Sequence, residues 1–220
     1  MKVNLKAILC GASIAALVVS AAAIAQSPAQ SPGHDAPAAA TAKAPVKTGE
    51  LRRVVTRLDA GGKAAVMVDE QVPLMATRSP NGVGEVWVTT RMPAQLSFTE
   101  DLAHTKVGIQ PPRNGTVFRV VDFPPTTEAI DKLPIDTVMK IVGPDAPKKG
   151  LAPKHSMMHR TRSVDYAIVL SGEIEMMLDD QTVKLKAGDV IVQQATNHAW
   201  INRTKEYARV AFVLMDSEEP

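Results

Sequence analysis

Apolar and polar residues alternate along most of the chain from residue 51 onward, and the alternation is interrupted by turn-forming residues at short intervals. Leu51–Leu58 and Ala64–Val68 flank the Gly-containing stretch Asp59–Lys63, the pattern of two strands joined in a hairpin. Glu85–Thr90 and Gly115–Phe123 are two further β-rich runs, the second stopped by Pro124 and Pro125. Pro111, Pro112 and the stretch Ser79–Gly84 mark loops. Thr126–Val142 is ambiguous: Glu128–Lys132 reads as a helical turn cut off by Pro134, within a loop-rich insertion. From Val164 the rhythm sharpens. Tyr166–Leu170 is an apolar run broken by Ser171 and Gly172, after which Ile174, Met176 and Leu178 alternate with Glu173, Glu175 and Met177. Val183, Leu185 and Ala187 alternate with Lys184 and Lys186, and Val190–Val192 and Arg209–Met215 supply two more strands. Short strands, close turns and little helix predict an antiparallel sandwich or barrel.

The first 50 residues follow no such pattern. Lys2 and Lys6 precede an apolar segment from Ala7 to Val19, and Ala23-Ile24-Ala25 supplies the small residues of a cleavage site, so residues 1–25 read as a secretory signal peptide cut before Gln26. An uncleaved anchor is the alternative, although the apolar stretch is short for a spanning helix of about 20 residues. Residues 26–50 are rich in Ala, Pro, Ser, Gln and Thr and hold one large apolar residue, Val46, so they read as a disordered linker. Residues 51–220 then form a single domain, with a β-rich N-terminal part over 51–150. The predicted location is the periplasm or the exterior, with no stable membrane insertion once the signal is removed.

Composition narrows the partners. The one cysteine, Cys10, leaves with the signal, so the exported chain uses neither disulfides nor thiolates. Removal of Lys2 and Lys6 takes Lys+Arg from 25 to 23 against 23 Asp+Glu, and the net charge of +2 falls to zero. A neutral chain of this kind argues against nucleic acid as a partner.

Candidate chemistry gathers between His159 and Asn202. Positions 159, 161 and 165 share parity, so on a pleated strand His159, Thr161 and Asp165 point to one face. A straight strand would still separate His159 from Asp165 by about 20 Å, at roughly 3.3 Å per residue. Convergence therefore requires a bend or bulge near Arg162 and Ser163. Arg160 and Arg162 have the opposite parity and are expected to face outward. His155 reads as a loop residue, His104 as a polar-loop residue without partners, and the methionines as core filling. Trp200 and Tyr166 line either a pocket mouth or a dimer interface.

The segment resembles the cupin superfamily. His159 falls on the first histidine of that family's first motif, Thr161 replaces the second, Asp165 falls on the glutamate and Gly172 keeps its spacing. In the second motif Gly188, His198 and Asn202 match, while Gln193 stands where proline is usual and Ala195 where glycine is usual. The resemblance implies an all-β, cupin-type antiparallel β-barrel (jelly roll) with few short helices, its core motifs within 155–215, and a homodimer. It also implies a pocket for a small-molecule substrate or ligand. His159, Asp165 and His198 would form a two-histidine, one-carboxylate set for a divalent transition metal, Fe, Mn, Ni or Zn, weakened by Thr161. Without metal, Asp165 with a raised pKa and a neighbouring His198 would serve as catalytic acid and base. The plain alternative is that Asp165 and His198 only satisfy each other or the backbone. The function expected is therefore a metal-dependent oxygenase, decarboxylase or isomerase, or else a non-catalytic binding barrel.

Overall fold

The computed structural model describes residues 49–76, 80–142 and 154–218, all within one compact unit, Pro45–Pro220. The signal peptide, most of the linker, His34 and Asp35 lie outside the described residues.

The first hairpin forms where its turn chemistry placed it. Strands β1 (Glu50–Leu58) and β2 (Ala64–Pro73) pair antiparallel, with a bulge after Val55. Asp59 closes the turn: its Oδ1 accepts from Gly61 N at 2.8 Å and Lys63 N at 2.9 Å, and Gly62 takes φ +77, a left-handed value that favours glycine.

Two sheets enclose the core. The larger consists of β3 (Gly82–Thr89), β4 (Thr116–Phe123), β5 (Ser163–Ser171), β8 (Val190–Gln194) and β10 (Ala208–Asp216), in spatial order β3-β4-β10-β5-β8. The smaller consists of β6 (Glu173–Met177), β7 (Thr182–Lys186) and β9 (Ala199–Ile201), in order β7-β6-β9. Every strand pair is antiparallel. Val117, Val121 and Phe123 of β4, Ala167 and Val169 of β5, and Val210, Phe212 and Leu214 of β10 meet Ile174, Met176 and Leu185 of the smaller sheet in one buried cluster. Two sheets back to back over a shared apolar core make the fold an all-β jelly roll of the cupin type. The alternation read in residues 173–178 is the reason β6 sits as it does: Ile174 and Met176 are buried, while Glu173 is exposed.

The outer face of the larger sheet is covered in part. Leu74 and the half-buried Leu51 from the base of the hairpin pack on Val120 and Ala211. Beneath them Asp122 and Arg209, cross-strand neighbours, form a buried pair with Arg209 Nε donating to Oδ1 at 2.5 Å and Nη2 to Oδ2 at 2.7 Å. Asp122 Oδ2 also accepts from Gly49 N at 3.1 Å, and Arg209 Nη1 donates to Glu50 O at 3.1 Å. The other half of this face, on β5 and β8, leaves Tyr166, Ile168, Leu170, Val190 and Val192 exposed.

Four details differ from the sequence expectation. The insertion after Phe123 holds two helices, α1 (Glu128–Asp131) and α2 (Ile135–Val142), because Pro134 separates them and its carbonyl accepts from Val138 N at 3.3 Å at the start of the second. Val138 and Val142, four apart on α2, are buried among Ile109, Leu133 and Met157. Strand β9 has too few residues for a periodic signal. Arg162 does not face outward: the chain bends there and its Nε donates to Asp216 Oδ1 at 3.0 Å in a buried pair. His104, expected without partners, lies 3.5 Å from Asp101.

Candidate functional site

A cavity of about 280 Å³ opens on the inner face of the larger sheet. Phe123, Trp200 and Phe212 form its aromatic wall, with Trp200 and Phe212 packed edge to face at 5.3 Å. Trp200 therefore faces the cavity, while Tyr166 lies on the outside of β5.

The bend anticipated near Arg162 and Ser163 assembles the polar end. Before it, His159 pairs with His198 through two backbone hydrogen bonds, His159 N to His198 O at 2.9 Å and His198 N to His159 O at 3.0 Å. After it, Asp165 belongs to the larger sheet, opposite Leu214 and Gln193. All three residues line the one cavity, together with Thr161.

The histidine rings lie 4.7 Å apart between centroids. His159 Nδ1 is 2.9 Å from Met157 O, and His198 Nδ1 is 2.9 Å from Thr196 O. A carbonyl can only accept, so Nδ1 carries the proton of each ring and Nε2 keeps a lone pair. Burial lowers the pKa of His159. Burial, and then the neighbouring His159, push His198 down to about 3. Both rings are thus neutral at pH 7, and His198 does not titrate near neutrality as the sequence reading expected.

Asp165 behaves as expected. Burial pushes its carboxyl up to about 6, opposed by hydrogen bonding to Ser163 and Thr161 and by the charge of Arg119. Ser163 Oγ donates to Oδ1 at 2.5 Å, and Thr161 Oγ1 lies 3.5 Å from Oδ2. Asp165 and His198 are therefore satisfied by hydroxyls and backbone and not by each other.

A metal ion fits this donor set only in part. The two imidazoles lie 4.7 Å apart between centroids, and their Nδ1–H groups are anchored on carbonyls, the arrangement that orients histidine ligands. Asp165 stays with Ser163. Among the described residues, no three His, Cys, Asp or Glu side chains converge closely enough to hold an ion. Asn202, the last matching motif residue, is structural: Nδ2 donates to Phe123 O at 2.9 Å and Glu206 O at 2.7 Å, while Oδ1 accepts from Thr204. Ala195, in the glycine position of the motif, takes φ +50. His155 is a loop residue held by Asp131, 2.8 Å from Nε2.

The sequence reading missed Glu85 and Arg119. They are register partners on β3 and β4 and both line the cavity. Arg119 Nη2 lies 3.3 Å from Glu85 Oε1 and donates to Gly108 O at 2.8 Å. Burial raises the pKa of Glu85 and lowers that of Arg119. Arg119 Nε and Glu85 Oε2 are buried without a hydrogen-bond partner among the described residues. A signal did exist: Arg119 shares parity with Val117, Val121 and Phe123, so a charge sits on the apolar side of an alternating run.

Comparison with known proteins agrees with this fold. The family described as "Cupin domain" matches residues 146–214. Phomopsin biosynthesis cluster protein C' of Diaporthe leptostromiformis is 31% identical over 182 residues, which span 77% of this chain and 82% of that protein. The cupin-domain-containing oxidoreductase fogC of Aspergillus ruber is 28% identical over 141 residues, 61% of this chain and 56% of that protein. The oxidoreductase virC of Hypocrea virens is 30% identical over 138 residues, 60% and 57% of the two chains. This chain belongs to the cupin superfamily.

Proposed function

We propose that the protein is an enzyme acting on a small organic molecule held in the cavity, with His159 and His198 as the residues that hold a divalent transition metal. The observation that carries this reading is the pair of neutral imidazoles, 4.7 Å apart, whose Nδ1 atoms are fixed by Met157 O and Thr196 O. Metal bound there would supply a Lewis acid toward a substrate oxygen. The protein's own contribution is threefold. The aromatic wall orients an apolar body and excludes water. The histidines keep their protons on Nδ1, turned to the backbone. Asp165, with its carboxyl pushed up to about 6, accepts or gives a proton at Oδ2, the less engaged oxygen, close to neutral pH. Oxygenase, decarboxylase and isomerase chemistry all suit this set, and the names of the fungal oxidoreductase relatives favour the first.

A second reading rests on Thr161, which stands where the family's first motif has its second histidine, and on Asp165 being held by Ser163: a metal-free barrel that binds a ligand without turning it over. The metal content of the protein, purified without a His-tag beside His159→Ala and His198→Ala, decides between them. Near-stoichiometric metal lost in both variants is the expected result. No metal after anaerobic reconstitution with Fe(II), Mn(II), Ni(II) or Zn(II) leaves the binding barrel.

The same proposal places the protein in the periplasm or outside the cell, on the strength of residues 1–25, and intact-mass analysis of the exported form checks cleavage before Gln26. It also takes the protein as a homodimer, supported by the exposed apolar residues of β5 and β8. Light scattering of wild type and Ile168→Lys tests this, with dissociation expected in the variant.

A further inference from the structure

His155 does not line the cavity, but its ring reaches the backbone that holds His159. His155 Nδ1 accepts from Met157 N at 3.1 Å, and a backbone N–H can only donate, so Nδ1 keeps a lone pair. The proton of the ring therefore sits on Nε2, where Asp131 Oδ1 accepts it at 2.8 Å. His155 and His159 thus carry their protons on opposite nitrogens.

Met157 stands between the two rings. Its N–H goes to His155 Nδ1, and its carbonyl accepts from His159 Nδ1 at 2.9 Å. The peptide that contains this carbonyl is held on its other side as well, because Met158 N donates to His155 O at 3.0 Å. The Met157 side chain packs on the cluster around Val138 and Val142 and on the cluster around Ile201. Asp131 is fixed in turn: Arg203 Nη1 donates to its Oδ2 at 2.7 Å, and Ser156 Oγ donates to its carbonyl at 3.1 Å. Arg203 follows β9, the strand that begins just after His198. A single path of hydrogen bonds, from Arg203 through Asp131, His155 and Met157, therefore links the strand beside one cavity histidine to the ring of the other.

This path is not needed to keep the His159 backbone in place, since that is already paired with His198. It fixes the carbonyl that decides which nitrogen of His159 carries the proton. We infer that His155, locked by Asp131, is a positioning residue that holds His159 in its Nδ1–H form with the lone pair on Nε2. The inference deepens the reading of His159 as a metal-holding residue, and rests on that reading only for its effect on metal.

Long-range nitrogen–proton NMR spectra of the purified protein at about pH 8, where a histidine is ordinarily neutral, identify the proton-bearing nitrogen of each ring, with or without metal. Wild type is expected to show His155 protonated on Nε2 and His159 on Nδ1. His155 protonated on Nδ1 overturns the inference before any variant is made. Two substitutions then divide the role. His155→Asn keeps an acceptor for the N–H two residues on, as in an Asx turn, and should leave His159 on Nδ1. His155→Gln loses that acceptor and should turn His159 into a mixture of both forms. Asp131→Ala leaves the His155 proton unassigned and should fall between them. Zn(II) affinity, measured by chelator competition, should drop roughly tenfold in His155→Gln and by less than about threefold in His155→Asn. A merely structural brace would lower the melting temperature of both variants and leave the His159 proton where it was; that result, or an equal change of His159 in the two variants, overturns the inference. Should no form of the protein bind metal, the metal reading fails by itself, and a His159 proton displaced by Gln but not by Asn still upholds the positioning role.

Discussion

Strand β4 carries one member of each of two buried acid–base pairs, and the two pairs lie on opposite faces of the same sheet. Outside, Asp122 and Arg209 are bidentate and also hold Gly49 N and Glu50 O. Inside, Glu85 and Arg119 touch through one oxygen and one nitrogen, and Nε and Oε2 are buried without a hydrogen-bond partner among the described residues. Residue types are alike, but the Glu85 side chain is 26% exposed against 4% for Asp122, and the degree of satisfaction differs as well. The outer pair fastens the first residues of the hairpin to the sheet. The inner pair, whose residues line a cavity, is less completely bonded. A buried ion pair is thus no sign of a site until its hydrogen bonds have been counted.

The sharpest way to break the comparison is to remove one partner from each face. Arg209→Met strands the buried Asp122 carboxylate and is expected to cost about 3–5 kcal/mol of stability in urea denaturation. The next effect belongs to Asp165, on the inner face of β5. Its carboxyl titrates near 6 in the fold against an ordinary 3.8, so the folded state holds its proton more tightly than the unfolded chain does. This penalty is absent below pH 4, grows as pH rises from about 4 to 6 and is complete above that, at roughly 2–3 kcal/mol. Asp165→Asn should remove it, so the stability of the variant relative to wild type rises across that window; flat difference curves would refute the assignment. Arg119→Met is expected to cost less than Arg209→Met, about 1–2 kcal/mol, because Glu85 is already displaced toward its neutral form and can take a proton. The smallest effect is the most discriminating. Replacing both inner partners with methionine should leave stability within about 1 kcal/mol of wild type. The matching outer double variant should not recover as fully, because Gly49 N and Glu50 O lose their partners.

Much of this architecture was legible in the chain. Alternation located Ile174 and Met176, turn chemistry located the Asp59–Gly62 corner, and the length of an extended strand required the bend at Arg162. Parity failed at that same bend: once the strand turned, Arg162 swung toward Asp216 and became buried. The helix over Ile135–Val142 was hidden because Pro134 looks like a stop when it is a start. The paired histidines were visible as a motif, whereas Glu85 and Arg119, 34 positions apart, become partners only through the register of β3 on β4. Register depends on the bulge after Glu85, which periodicity does not report.

The stretch recognisable as a cupin domain, residues 146–214, contains the histidines and Asp165 yet stops short of being interchangeable. It lacks β3 and β4, and with them Glu85, Arg119 and most of the covering of β10 on one side. Transplanted into another protein, that stretch would carry the imidazole pair without the polar pair that lines the same cavity, and would expose the long edge of β10 to other chains. Modularity in this molecule is therefore a property of sequence similarity and not of the working unit, whose smallest exchangeable part includes the strands that precede the recognisable domain.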